Sequence, residues 1–566
     1  MYILGIAGWT DRGHDASAAL LDSGKLIATA EEERFIRRKH SYDILPHNAI
    51  RFCLDEAKIC IEDLDYVALY WDWPYHYKLR GIVKNLDKEK LIKELFPQNL
   101  FKYEKAPELK FINHHRSHAA SVFRSSGFDE SAILIVDGAG EDVSTSLWYG
   151  VGNEIMLLKK IDVPGSIGYF YEGVTHYVGL ESNEPGKTMG LAPYGKASIS
   201  TEELFELTKD GYRAKIPEGR IVLGLGGLSD EEEQLQKYWN NIFVKRLGSK
   251  NERVYRYNRL LGRYASEAVM NQHCMDAAAS AQKILEDLML HLTKVIMEET
   301  SSRNLSIAGG VGLNCIANGK ILQSGLVDDI FIQPAANDAG CSLGAALELY
   351  AELGYPSKFK MEHTYLGPKF SKEDIESELN RLKLEFEYHN DIESVTSELL
   401  NKNKIIGWFQ GRMELGPRAL GNRSILADPR DSQMKDKINK YVKFREWFRP
   451  FAPSILEEYS EDYLVGAYPS PFMLLAFDVP EDKRKEIPAV VHVDGTTRPQ
   501  TVAENVNLRY WKLIDKFREC TGVPVVLNTS FNVKGEPIIC TPYDAVRTFY
   551  TTGIDYLVLD NFLIKK

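Results

Sequence analysis

Two histidines four residues apart, His114 and His118 in the run Asn113-His114-His115-Arg116-Ser117-His118, have the spacing that says most about chemistry in this chain. On a helix, positions i and i+4 share a face, so both imidazoles can grip one metal ion. His115 points about a quarter turn away and reads as a structural residue. Farther along, an apolar run from Ala132 to Val136 ends in Asp137-Gly138-Ala139-Gly140-Glu141. That pattern places a carboxylate where a buried strand opens into a tight loop. Together the two features imply a metal site beside a phosphate-binding loop.

Three further loops have the same look. They are Gly5-Ile6-Ala7-Gly8, which leads to His14-Asp15-Ala16-Ser17; Gly309-Gly310-Val311-Gly312-Leu313-Asn314; and Asn337-Asp338-Ala339-Gly340. Glycine lets backbone amides approach phosphate oxygens, and a helix starting behind the loop adds its positive end. The run Glu184 to Gly195 is not a P-loop, because the required glycine spacing is missing, yet Lys187 within it is a candidate nucleotide contact. A denser motif lies late in the chain: Glu414-Leu415-Gly416-Pro417-Arg418-Ala419-Leu420-Gly421-Asn422-Arg423-Ser424-Ile425. The stretches Lys443 to Ser454, Thr496 to Gln500 and Asn528 to Asn532 follow it. Arginines set among glycine, proline and aromatics differ from a solvated charge face. Their guanidinium groups fork onto phosphate or carboxylate oxygens, which suits a small dianion.

These residues need a scaffold. Strands are expected at Ile3 to Ala7, Leu26 to Ala30, Val67 to Tyr70, Ala132 to Val136, Leu305 to Ala308, Ile330 to Gln333, Ile405 to Phe409 and Val523 to Leu527. A helix around Ala277 to Glu299 carries Ile284, Leu285, Leu288, Leu292, Val295 and Ile296 on one face. Strands alternating with helices imply an α/β architecture. No internal repeat shows in the sequence. Glycine and proline cluster at Gly354 to Ser357, so the reading divides the chain into a domain at 1–354, a linker at 355–371 and a second domain at 372–566.

With 566 residues, more than one core is expected. A net charge of -11 argues against nucleic-acid binding by phosphate neutralisation. Seven scattered cysteines, with no Cys-x2-Cys pair, fit reduced thiols in a cytoplasm. There is no leader-like start and no membrane-spanning apolar run, so a soluble cytoplasmic protein is expected.

The four acidic or glycine loops, in this order, resemble the actin/hexokinase/Hsp70-type ATPase fold. The histidine pair with the late Asp338 narrows the resemblance to the branch that handles tRNA threonylcarbamoyl-adenylate. That branch implies a metal, usually iron or zinc, on His114, His118 and Asp338, with Asp137 as a fourth or water-bridged ligand; imidazole and carboxylate donors also suit manganese. The late arginine motif, with Lys443-Phe444-Arg445 and Ser530-Phe531-Asn532, resembles the YrdC-like fold. Joined in one chain, the two are similar to the O-carbamoyltransferases of antibiotic and nodulation-factor biosynthesis.

That resemblance implies a two-step reaction. Carbamoyl phosphate and ATP give carbamoyl-adenylate in the second domain, and a hydroxyl of a small-molecule acceptor then takes the carbamoyl group in the first, releasing AMP. Carbamoyl phosphate would be held by Arg418, Lys443, Arg449, Arg498, Asn528 and Ser530, supported by Arg423, Arg445 and Asn532. The nucleotide would rest on Gly310 and Asn314, with Lys39 on the adenylate phosphate. His14 is the candidate general base, since an attacking alcohol must lose its proton and imidazole titrates near neutrality. Asp11 is a candidate contact for a polyol or sugar acceptor. Two other readings compete: threonylcarbamoyl transfer to tRNA, against which the acidity speaks, and a non-enzymatic ATP-binding scaffold, which would need neither histidine pair nor arginines.

Overall fold

Strands form where the apolar runs predict them, because those runs are covered on both faces. The computed structural model describes all residues except 10–12, 84–85, 182, 218–220, 222–227, 252 and 259–262, and only the backbone of 228–229, 253–258 and 263–268. A first sheet contains β1 (Tyr2–Ala7), β2 (Ser17–Asp22), β3 (Lys25–Glu31), β4 (Leu64–Leu69) and β5 (Glu108–Phe111), in the order β3-β2-β1-β4-β5. A second contains β6 (Glu130–Val136), β7 (Val143–Val151), β8 (Glu154–Asp162), β9 (Asn304–Ala308) and β10 (Asp329–Ile332), in the order β10-β9-β6-β7-β8.

The two sheets are built alike. In each, the first three strands form an antiparallel meander, and the last two add in parallel to the first strand's other edge. The first part of the chain is therefore a duplicated α/β unit, a repeat invisible to a sequence scan because the two copies share topology and not side chains.

Six helices position the site: α1 (His114–Ser126), α2 (Ile167–Tyr177), α3 (Pro185–Leu191), α4 (Gln272–Thr300), α5 (Cys315–Gln323) and α6 (Cys341–Glu352). The expected helix at Ala277 to Glu299 is the body of α4. Helices α1 and α6 pack in backbone contact; a Cβ on Gly344 would lie 1.8 Å from the Ser117 carbonyl oxygen. Only glycine fits there, and this close approach brings the turn at Asp338 up to the histidine pair.

The later part of the chain forms an eight-stranded mixed sheet. It comprises β11 (Glu387–Tyr388), β12 (Ile406–Phe409), β13 (Arg423–Ala427), β14 (Ala452–Leu456), β15 (Gln500–Val502), β16 (Val525–Ser530), β17 (Tyr556–Leu559) and β18 (Phe562–Lys565), in the order β11-β18-β17-β12-β13-β16-β14-β15. The segment 355–371 is laced to both sides. Phe359 N–H donates to the Arg124 carbonyl at 2.8 Å, and Leu415 N–H donates to the Thr364 carbonyl at 2.8 Å. The Arg34 guanidinium donates to the Gly416 carbonyl at 2.7 Å, and Gly416 N–H donates to Glu31 Oε1 at 2.9 Å. The arginine-rich loop is thus anchored to the end of β3. All seven cysteines are unbridged, and among the described residues no helix is long and apolar enough to cross a membrane.

Candidate active site

His114 and His118 stand one turn apart on α1 and are fully buried. Asn113 caps the helix, its Oδ1 accepting from Arg116 N–H at 3.1 Å while its Nδ2 donates to Glu141 at 2.6 Å. Both Nε2 atoms meet Asp137 Oδ2, at 3.2 and 3.0 Å, and lie 3.7 and 3.8 Å from Asp338 Oδ1. Two ligands each about 2.1 Å from one ion are roughly 3.0–3.5 Å apart, so these four donors suit a single divalent cation. Two carboxylates and two neutral imidazoles would also balance its charge. Burial alone would raise the Asp137 carboxyl, but hydrogen bonds from both histidines hold it well below its usual range. His115 turns away, as expected, and pairs through Nδ1 with Ser146 Oγ at 2.6 Å.

The Gly-Gly loop meets this tetrad rather than standing apart from it. Gly310 N–H donates to Asp137 Oδ1 at 3.0 Å, and Gly138 N–H donates to the same oxygen at 2.8 Å. The neighbouring Gly309 has φ 87°, and a Cβ on it would lie 2.3 Å from the Val136 carbonyl oxygen. The Gly310 amide, expected to face a nucleotide, instead orients a candidate metal ligand. Asn314 is likewise occupied: it caps α5 through Ala317 N–H at 3.1 Å and exchanges hydrogen bonds with Gln282 at 3.0 and 3.1 Å. Beside α5 opens a cavity of about 340 Å³ lined by Gln282, Glu286, Ile316, Lys320, Ala476 and Asp494.

His14 sits in the loop between β1 and β2 with its side chain 46% exposed and Nδ1 3.1 Å from Asp15 Oδ2. Desolvation would lower its pKa, but Asp338, Asp15 and Asp137 together hold it well above the ordinary imidazole range. Lys39 is exposed, and Glu33, Glu184, Arg449 and Lys187 are among the charges acting on it. Lys187 is 5% exposed and not a solvated lysine; it pairs with Glu184 and, at 3.2 Å, with Glu446 Oε1. Asp11 lies outside the described residues.

The nine residues expected at a phosphate separate into two groups. Arg418, Arg449 and Arg498 gather half-buried, close enough that burial and the neighbouring guanidinium groups lower Arg418 and Arg498. Burial first, then Arg498 and Arg449, lower Arg418 to about 9. Among the described residues, neither Arg418 nor Arg498 donates to a protein acceptor, and Arg449 has only Glu446, at 3.7 Å.

The others are committed inside the fold, which corrects the expectation for several. Arg423 is fully buried, donates to the carbonyls of Gln410, Gly411, Asn422 and Pro368, and lies 3.6 Å over the Phe409 ring. Lys443 spends its ammonium on Ser530 and Asn532, with four acceptors at 2.6–3.1 Å. Asn532 Nδ2 goes to the Glu536 carbonyl at 2.6 Å, and Asn528 Nδ2 to Ala419, Ser454 and Gln500 at 3.0–3.2 Å. Arg445 holds Asn439 Oδ1 at 2.7 Å and stacks 4.5 Å over Phe451. These side chains hold one another and the surrounding backbone. Ser530 is half-buried, and its Oγ donates to Asn532 Oδ1 at 2.7 Å.

Comparison with known families decides what this scaffold is. The family model described as Carbamoyltransferase N-terminus matches residues 2–347, and that described as Carbamoyltransferase C-terminus matches 397–566. The chain belongs to the carbamoyltransferase family. Nodulation protein NolNO of Sinorhizobium fredii is 39% identical to it over 572 residues, covering 98% of this chain and 79% of that protein. Nodulation protein NolO of Bradyrhizobium diazoefficiens is 40% identical over 463 residues, covering 80% and 79%. Among solved structures, T. kodakarensis HypF aligns with 13% identity and a TM-score of 0.32 over 62% of this chain and 48% of that one.

In this carbamoyltransferase, several residues of the cleft carry no sequence signal. Glu446 is one: it receives Lys187 from one half of the chain and Lys534, at 2.9 Å, from the other. Burial would raise its carboxyl, but Lys187, Lys534 and Arg449 hold it far below the usual range. Glu141, which takes the Asn113 amide and His114 N–H at the start of α1, is another. Both lie inside stretches the sequence singles out, yet only their partners in the fold set these two acids apart.

Proposed function

We propose that this carbamoyltransferase is ATP-dependent and transfers the carbamoyl group to a hydroxyl of a small-molecule acceptor. The observation that carries the reading is the trio Arg418, Arg449 and Arg498, two of which have no protein acceptor. A half-buried cluster of three guanidinium groups faced, among the described residues, only by Glu446, 3.7 Å from Arg449, is costly unless a further anion completes it, and a phosphate dianion fits forked donors. Carbamoyl phosphate bound there would be hydrolysed, water bonding to its carbonyl carbon as the bond from that carbon to the phosphate oxygen breaks and inorganic phosphate leaves. The carbamate formed attacks the α-phosphate of ATP to give carbamoyl-adenylate and pyrophosphate. The acceptor oxygen then bonds to the carbamoyl carbon, the bond from that carbon to the phosphate oxygen breaks, and AMP leaves with the electron pair.

In its neutral form, populated above its raised titration range, His14 would accept the hydroxyl proton at Nε2 as the new bond forms. Lys39 and Lys187 would hold the adenylate phosphate, and the cavity beside α5 would take the base. His114, His118, Asp137 and Asp338 would hold a divalent metal, iron or zinc by resemblance, which when bound supplies a Lewis acid for phosphate oxygens. The remaining residues bind, orient and keep water from a labile intermediate. The test incubates the protein with ATP, radiolabelled carbamoyl phosphate and a panel of polyol, aminoglycoside and oligosaccharide alcohols. Labelled product with stoichiometric AMP and pyrophosphate is expected; ADP with phosphate, or transfer without ATP, would overturn the reading.

A further inference from the structure

The loop that carries His14 is fastened to a second loop by one carboxylate. Asp15 Oδ2 faces His14 Nδ1 at 3.1 Å, and Asp15 Oδ1 faces His40 Nδ1 at 2.8 Å. Asp15 N–H also donates to the His40 carbonyl at 2.7 Å, Asp43 N–H to the Gly13 carbonyl at 2.9 Å, and Ala16 N–H to Ser41 Oγ at 2.9 Å. Five non-glycine residues here, Asp15, Arg37, His40, Ser41 and Asp43, have φ between 39° and 62°. Backbone in that region costs free energy at each position and persists only where surrounding contacts over-determine it. Around Asp15, His40, Ser41 and Asp43 the contacts doing so run between these two loops, two of them through Asp15, while Arg37 is held by the Pro537 and Ile538 carbonyls.

We infer that Asp15 is a positioning residue that fixes the tautomer of His14, and that His40 holds Asp15 in place to do so. An ionised carboxylate only accepts hydrogen bonds, so both imidazoles must present Nδ1–H to it. His40 and His14, working against burial, hold the Asp15 carboxyl far below its usual range, which keeps it ionised. With its proton on Nδ1, neutral His14 carries its lone pair on Nε2, on a side chain 46% exposed, and Nε2 is then the atom that can accept from a hydroxyl. The other groups facing His14 are Tyr42, whose ring centroid is 6.1 Å away, and the charges of Asp338, Asp137 and Glu172. None of them is hydrogen-bonded to its ring, so the tautomer falls to Asp15. His40 in turn is pinned by its own N–H on Glu33 Oε2 at 2.7 Å.

The inference rests on the reading of His14 as the base, and its test separates the two. The full-length, metal-loaded protein is labelled with 13C-histidine, and the His14 ring signals are identified by their loss in His14→Ala. In the unsubstituted protein, the His14 13Cδ2 shift at high pH should report the Nδ1–H form. In Asp15→Asn the carboxamide can donate to Nδ1, so the Nε2–H form should dominate, and the His14 titration midpoint should fall. His40→Gln should shift both readings the same way by less, and Asp15→Glu should restore the tautomer in part. Should Asp15→Asn fail to fold, His40→Gln and Asp15→Glu carry the same measurement. An unchanged His14 tautomer and midpoint in the folded variants would overturn the positioning role. In transfer assays, Asp15→Asn should lose kcat by about 10²–10⁴-fold with KM values unchanged. Full transfer by His14→Ala would sink the base reading and leave the tautomer result standing.

Discussion

Lys187 and Glu446 stand 259 positions apart in the chain and meet at 3.2 Å. One belongs to the stretch matched by the N-terminal family model and the other to the stretch matched by the C-terminal one. Their pairing, with Lys534 and Arg449 around the same carboxylate, makes Glu446 an internal anion at the edge of the arginine cluster. A phosphate bound as proposed would compete with it for the same cations. Glu446→Gln should therefore tighten inorganic phosphate binding about 10-fold, or ~1.4 kcal/mol, as read by calorimetry. Weaker binding would show that Glu446 aligns the cations instead.

The two groups of arginines should fail differently. Arg418→Ala or Arg498→Ala removes a donor with no protein partner, so stability should hold while carbamoyl phosphate affinity drops about 30-fold, or ~2 kcal/mol. Arg423→Ala strands the carbonyls of Gln410, Gly411, Asn422 and Pro368 and should cost roughly 3 kcal/mol of stability. Urea titration with phosphate calorimetry separates the cases. Equal loss of stability in all three variants would refute the division.

Metal retention should depend on the α1 pair. His114→Ala or His118→Ala should purify with little divalent metal by elemental analysis, with circular dichroism unchanged, because the surrounding core is large and apolar. Full metal content in both variants would remove the tetrad from consideration.

Stability should fall with pH on account of Glu172. Burial, then Glu232, raise its carboxyl from 4.5 to about 8. An acid with a raised folded pKa takes up a proton on folding, so its penalty is absent at low pH, grows between 4.5 and about 8, and stays constant above. Thermal melts at pH 5 and pH 9 should differ more in the unsubstituted protein than in Glu172→Gln. An equal difference in both would show that Glu172 titrates normally.

Sequence alone determined the local and periodic features. Apolar runs such as Ala132 to Val136 become strands wherever they are buried, and the spacing of His114 and His118 puts both imidazoles on one helical face whatever surrounds them. The glycine and arginine motifs were legible for the same reason, since their residue types carry their own geometry. Tertiary structure decided which of those residues are free. Arg418 and Arg423 sit five positions apart in one motif, yet one is half-buried with no protein acceptor among the described residues and the other is fully buried over the Phe409 ring and bonded to four backbone carbonyls. Gly310 and Lys443 likewise have their donors assigned by distant partners, Asp137 and Ser530. The duplicated sheet, the role of Glu446 and the clasp of Asp15 on two histidine loops all arise from long-range packing. Hydrogen-bond availability is a property of the neighbours a side chain meets after folding, and those neighbours include Gln410, 13 positions from Arg423, and Asp137, 173 positions from Gly310.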